Sequence, residues 1–319
     1  MNKAIDKNTI NLPYLDDFLL YLKTNNYSEE TVYNYERDLN TLAYFLNEID
    51  VNFEEVTKTT LLNYKAYLVS IDRKTPNQDQ GKKKLSSYSI NRTLSALRSY
   101  LKYLIDMDHE TPISPESVKL MKTERKHPQV AELNELIKLV EAPSKIEKNQ
   151  KVAFRNRAIL EILFSTGMRI SELTNLKKSQ IDKTGRIFIM GKGKKERFVY
   201  LTPRAQEHLA NYLKIRHDDL PYLFIPYRGK NIQNKERKIS TNYLQEKIKK
   251  YRELLGINIP ISAHSLRHGF ATYLAEEGAN PAAIQILLGH ESLDTTTRYV
   301  HASDRYAEKI HRQYHPLKK

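Results

Sequence analysis

Cysteine is absent from this 319-residue chain, which excludes disulfides, thiolate nucleophiles and every cysteine-based metal site. Long apolar runs are missing too, and nothing in the sequence approaches the ~20 residues that a membrane helix requires. The first residues, MNKAIDKNTINLPYLDDF, carry neither an uninterrupted apolar stretch nor a small-residue cleavage site, so no signal peptide is expected. There is no internal repeat. A soluble, cytoplasmic protein is the expectation.

Acidic residues are in short supply relative to basic ones. Against 52 Lys and Arg stand 38 Asp and Glu, a formal net charge of +14 at pH 7. The usual partners of such a field are nucleic acid or an anionic membrane surface. Lysines on the solvated faces of ordinary amphipathic helices would give the same count, so charge alone does not choose. With 40% hydrophobic residues, the chain is long enough for two domains, each with its own core.

From Leu12 to about Met107 the apolar spacing is helical and predicts four helices with no strand. Ser28 is placed as an N-cap ahead of Glu29 and Glu30. Between the last two helices, DRKTPNQDQGKKKL is polar and basic and reads as a loop, Arg73 to Lys84 being its core. We assign residues 1–108 to a helical N-terminal domain, 109–129 to a Pro-rich, charged linker, and 130–319 to a second domain. In that domain VAELNELIKLVEAP predicts a helix, and FRNRAILEILFSTGMRISELTNL predicts two helices broken at Gly167. GRIFIMGKGKKERFVYLT predicts a β-hairpin, and the remainder is expected to be helical through His311.

Several residues in this second domain have chemistry in common. Arg169 and Glu172 lie one turn apart, the pattern of an arginine oriented by a carboxylate and equally of a surface salt bridge. Lys192, between two glycines at the hairpin tip, can deliver a proton or bind phosphate; a solvated basic turn looks the same. In HSLRH, His264 and Arg267 share a helix face, a pairing suited to an oxyanion on phosphorus. His264 and His268 also have metal-ligand spacing, but Ser265 stands where a zincin would carry glutamate. His268 is otherwise a partly buried structural histidine. Gly289 ends an apolar helix at its C′ position, with His290 just beyond. Tyr299 follows in TTTRYVH, one of 21 tyrosines; a tyrosine hydroxyl can attack phosphorus where oxyanion stabilisers are close. Tyr306 and Tyr314 are nearby competitors.

In this order the motifs TGMRISEL, GKGKKERFVYL and HSLRHGFATYLAEEGANPAAIQILLGHESLDTTTRYVH, with SYSINRTLSALRSYLKYL upstream, resemble the tyrosine recombinase (phage integrase) family, most closely its Xer branch. The resemblance covers nearly the whole chain. It implies a mostly α fold: a helical, SAM-like core-binding domain and an α-rich catalytic domain with a small β-hairpin, closing on duplex DNA as a C-shaped clamp. It implies neither metal nor cofactor. Tyr299 would form a 3′-phosphotyrosyl bond and release a 5′-hydroxyl. Arg169 and Arg267 would grip the non-bridging oxygens, His264 and His290 would add hydrogen bonds, Lys192 would protonate the leaving oxygen, and Glu172 would orient Arg169. Beside the resemblance, the residues themselves offer Arg92, Arg98, Lys194 and Lys195 as expected DNA contacts, with Arg92 and Arg98 reading equally as solvated helix arginines.

The implied partners are double-stranded DNA and a tetrameric synapse of this chain, alone or with a sister recombinase; a DNA translocase at the division septum is a further expected partner. The expected role is resolution of chromosome or plasmid dimers. The alternatives are an integrase of a phage or mobile element, and a type IB topoisomerase using the same chemistry as a monomer. A DNA-binding module without catalysis would not need the intact residue set. An amphipathic tail helix with Tyr306 and Ile310 on one face would dock into a neighbouring subunit, which a topoisomerase would not need.

Overall fold

The computed structural model describes residues 12–70, 84–123, 131–190, 196–229, 232–233 and 237–289. The chain divides into two compact units, Met1–Lys126 and His127–Lys319.

The first unit is built from α1 (Leu15–Thr24), α2 (Glu29–Glu48), α3 (Lys58–Val69) and α4 (Ser87–Asp106). Capping starts three of them where the sequence places a hydroxyl. Ser28, Thr57 and Ser86 each accept from the backbone N–H three residues on, satisfying a donor that has no partner within the helix. The apolar stripes Leu39, Leu42 and Leu46 of α2 and Ile90, Leu94, Leu97, Leu101 and Leu104 of α4 turn inward. They close a core with Phe18, Leu22, Phe53, Tyr64, Leu68 and Tyr100.

Residues 109–123, read as linker, pack on this unit. Ile113 and Val118 are buried in its core. Asn91 exchanges two hydrogen bonds with the Met121 backbone, donating at 2.9 Å and accepting at 2.7 Å. The apolar residues among the prolines, not the charge around them, decide where this segment goes.

The second unit centres on α6 (Gln150–Thr166), packed between α5 (Leu133–Ile146), α8 (Pro203–Lys214) and α10 (Ala263–Glu276). Next come α7 (Ile170–Thr174), the antiparallel pair β1 (Arg186–Met190) and β2 (Glu196–Tyr200), then α9 (Thr241–Leu254) and α11 (Pro281–Leu288). The strand register sets Ile187 opposite Val199 and Ile189 opposite Arg197, and all four side chains face inward. Pro203 and Pro281 begin their helices, where a missing N–H costs nothing.

The expectation of continuous helix after the hairpin fails over the described part of 215–240, which is irregular. Pro221 and Pro226 flank four consecutive buried residues, Tyr222, Leu223, Phe224 and Ile225, and a helix interior does not accept a proline. Arginines take up the carbonyls instead. Arg216 donates to Tyr222 O and Leu223 O, and Arg155 donates to Ile225 O. Among the described residues no helix is long and apolar enough to cross a membrane.

Candidate active site

The site forms where the α6–α7 turn, β2, α10 and the end of α11 meet. Gly167 makes the approach possible. It caps α6 at φ +62°, and a Cβ there would stand 2.4 Å from the Phe270 ring and 3.0 Å from Leu288. Any larger residue would be strained in the left-handed region and would push these elements apart.

Arg169 and Glu172 bracket the first turn of α7. The Arg169 backbone N–H donates to Glu172 Oε2 at 2.7 Å, and its Nη1 donates to Oε1 at 3.0 Å. The same carboxylate receives Arg197 from β2 through both terminal nitrogens, Nη1 to Oε1 at 3.0 Å and Nη2 to Oε2 at 2.7 Å. That two-pronged geometry is the strong form of an arginine–carboxylate pair. The two cations differ in access: the Arg197 side chain is 4% exposed and that of Arg169 is 38% exposed. Burial pushes the Glu172 carboxyl up. The hydrogen bonds and charge of Arg197, then those of Arg169, outweigh burial and hold it below its ordinary value.

Arg267 enters from α10, 4% exposed. It donates to Gly167 O and to Leu288 O, each at 2.8 Å. Arg197 Nε donates to Leu287 O at 2.9 Å. Arg169 Nη2 reaches Gly289 O at 3.5 Å, the outer limit of a hydrogen bond. Three successive carbonyls at the end of α11 therefore each face a different guanidinium. These are the carbonyls a helix leaves without an internal partner, and their partial negative charge favours cations. Gly289 closes the helix at φ +65°.

His264 lies one turn before Arg267 on α10. Its Nε2 stands 2.7 Å from His268 Nε2, with the rings edge to face. Two ring nitrogens at this distance hold one proton between them, so one donates and the other accepts. Burial, then the charges of Arg267 and Arg169, push His264 below its ordinary value. Burial, then His264 and Arg267, push His268 down to about 4. Both imidazoles are therefore neutral at pH 7 and can serve as hydrogen-bonding groups. Among the described residues no three His, Asp or Glu side chains gather as metal ligands.

Of the residues singled out in the sequence, Arg169, Glu172, His264 and Arg267 thus come together. Lys192, Lys194, Lys195, His290, Tyr299, the tail helix with Tyr306 and Ile310, and the loop through residue 83 lie outside the described residues. Arg92 and Arg98 belong to the first unit, where both are tied to the fold. Arg92 donates to Asn34 Oδ1 at 3.0 Å and pairs with Asp38 at 2.8 Å, and Arg98 donates to Val118 O at 2.7 Å. Two site residues escaped the sequence reading. Arg197 had a visible signal, because in ERFVY it shares the inward phase of Val199, and a buried arginine demands a carboxylate. His268 was read as structural, yet it is the hydrogen-bond partner of His264.

Guanidinium groups around a neutral imidazole, in an α-rich unit that follows a helical unit in the sequence, suit the charge that builds on a phosphodiester during transfer. The class of protein this defines is a DNA strand transferase. The chain belongs to the phage integrase family, matching the Phage integrase family over residues 129–305 and the Phage integrase, N-terminal SAM-like domain over residues 15–107. It is similar to the tyrosine recombinase XerC of Thermodesulfovibrio yellowstonii, with 33% identity over 96% of this chain and 97% of the relative. It is also similar to the tyrosine recombinase XerD of Oceanobacillus iheyensis, with 29% identity over 95% and 98%. In fold it resembles the crystal structure of XerH site-specific recombinase bound to palindromic difH substrate in a post-cleavage complex. That likeness has a TM-score of 0.73 and 21% identity over 97% and 98% of the two chains. The enzyme is a tyrosine recombinase that cleaves and rejoins DNA.

Proposed function

We propose that the chain is an Xer-type site-specific recombinase that resolves chromosome or plasmid dimers through a 3′-phosphotyrosyl intermediate. The observation that carries this reading is the convergence of Arg169 and Arg267 on the neighbouring carbonyls Gly289 O and Leu288 O, with neutral His264 beside them. Arg169 is held by the Glu172 carboxylate and Arg267 by the carbonyls of Gly167 and Leu288 before substrate arrives, so little reorganisation remains for the chemical step. In the proposed reaction the Tyr299 hydroxyl attacks the scissile phosphorus and its proton passes to a base. The P–O5′ bond breaks, and Lys192 protonates the departing oxygen. Arg169 and Arg267 stabilise the non-bridging oxygens, with His264 and His290 adding hydrogen bonds. The phosphodiester energy is kept in the tyrosyl link, so a 5′-hydroxyl of a second strand can reverse the step.

Strand exchange requires two duplexes, and the proposed working form is a tetramer on two sites, formed by this chain alone or with a sister recombinase. The XerH structure supports the DNA part of this reading, being bound to its difH substrate after cleavage. Similarity to XerC and XerD along the full length of the chain favours the Xer role over a mobile-element integrase or a topoisomerase. The net charge of +14 fits a protein that makes many phosphate contacts. The test is a nicked suicide duplex carrying a candidate dimer-resolution site, incubated in EDTA and run on a denaturing gel. A covalent adduct is expected with the wild type and not with Tyr299→Phe. Persistence of the adduct in Tyr299→Phe would assign the nucleophile elsewhere.

A further inference from the structure

Glu172 carries a second arginine that the proposed reaction does not use. We propose that Arg197 is a positioning residue of the strand-transfer site, holding Arg169 through Glu172 and fixing the end of α11 through Leu287 O. The inference rests on the recombinase reading above.

Four observations support it. The Arg197 side chain is 4% exposed, and its Nε, Nη1 and Nη2 all donate within the protein. It meets both oxygens of Glu172, and those same oxygens receive the backbone N–H and Nη1 of Arg169. Its Nε holds Leu287 O, two residues before Gly289, whose carbonyl faces Arg169 Nη2. Gly289 also lies against it, a Cβ there falling 3.0 Å from Arg197 Cδ.

One guanidinium thus ties β2 to the first turn of α7 and to the last turn of α11. Lysine cannot substitute, because a single ammonium does not supply a planar fork to the carboxylate together with a separate donor to Leu287 O. With Arg197 gone, Glu172 would still pair with Arg169 but could swing with it. The end of α11 would lose the hydrogen bond from Arg197 Nε to Leu287 O that ties it to β2.

The experiment compares wild type, Arg197→Met, Arg197→Lys, Arg169→Ala and the double variant Arg197→Met/Arg169→Ala. Read out are the single-turnover rate of adduct formation on the suicide duplex, duplex affinity and the melting temperature. Positioning predicts that Arg197→Met slows cleavage about a hundredfold while affinity stays within about threefold, since removing one preorganised oxyanion contact costs on the order of 10²–10³ in rate. It also predicts that Arg197→Lys recovers little. The double variant should be no slower than Arg169→Ala, because the second loss acts through the first. A purely structural role would make the two losses multiply and would lower affinity along with the melting temperature; that result overturns the proposal. So does cleavage by Arg197→Met at the wild-type rate. If Arg197→Met does not fold, the cycle runs with Arg197→Lys and Glu172→Gln, with the same criteria.

A crystal structure of the Arg197 variant separates this inference from the recombinase reading. A displaced Arg169 guanidinium supports the clamp even where the wild type yields no adduct, an outcome that would count against the recombinase reading alone. An Arg169 left in place overturns the clamp.

Discussion

Replacing Glu172 with glutamine keeps the shape of the site and removes its negative charge. The Glu172 side chain is 8% exposed and faces an Arg197 side chain that is 4% exposed, so the substitution leaves a buried guanidinium without its counterion. Breaking one partner of a buried pair costs about 3–5 kcal/mol. The glutamine oxygen still accepts one bond and Leu287 O still accepts another, which puts the expectation near the lower end, about 3 kcal/mol. For a unit of this size each kcal/mol moves the melting temperature by roughly 2–4 °C, so calorimetry at pH 7 should show a drop of about 6–12 °C. The pH dependence gives a second handle. The folded Glu172 carboxyl sits below its ordinary 4.5, so the unfolded chain takes up its proton first on acidification. Its contribution is therefore complete above pH 4.5 and is lost as pH falls through the lowered folded value. Wild type and Glu172→Gln should converge there. A cost under about 1 kcal/mol at pH 7, below even the modest net value of a charged hydrogen bond, would refute the reasoning. So would a gap that does not narrow on acidification.

Three further outcomes follow from other parts of the structure. Gly167→Ala places a Cβ at φ +62° and 2.4 Å from Phe270; combined left-handed strain and overpacking should destabilise by about 2–4 kcal/mol in urea titrations. Arg92→Gln should cost about 2 kcal/mol, because Asp38 loses its ion pair; the figure is kept low because the arginine side chain is 39% exposed. Stability should also fall as pH drops from 6.5 to about 4, since the unfolded His268 takes a proton across that range and the folded one does not. The loss is at most roughly 3 kcal/mol, and His268→Gln should flatten the curve in pH-stepped denaturation.

The helices and the hairpin were legible because their signals are local. The hydroxyl at Ser28 ahead of an apolar stripe states both where a helix begins and which face it buries. The helix break at Gly167 was legible for the same reason. The packing of residues 109–123 was not, because Val118 O and Met121 meet Arg98 and Asn91 of α4 only once the fold brings them near. The irregular course of 215–240 was hidden in the same way, since Arg155 lies 70 residues from the carbonyl it satisfies. In the site, Arg169, Glu172, His264 and Arg267 could be read from helical spacing. Arg197 could not be assigned to Glu172 until the strand register turned it inward.

The choice of partners for the arginines has a chemical consequence. A carboxylate on every guanidinium would anchor the site firmly but would compete with the phosphate for the same positive charge. Here one carboxylate serves two arginines, so Glu172, Arg169 and Arg197 together keep a charge of +1. The rest of the anchoring comes from the carbonyls of Gly167, Leu287, Leu288 and Gly289. A carbonyl dipole orients a guanidinium without neutralising it, and at a helix C-terminus the aligned dipoles add to about half a negative charge. Rigid placement and a net positive field are thus obtained together, the combination a developing oxyanion requires. This also accounts for the division of labour between the two partners of Glu172. The arginine sealed in the core carries the structural link, and the arginine left open to solvent keeps its charge available to a phosphate.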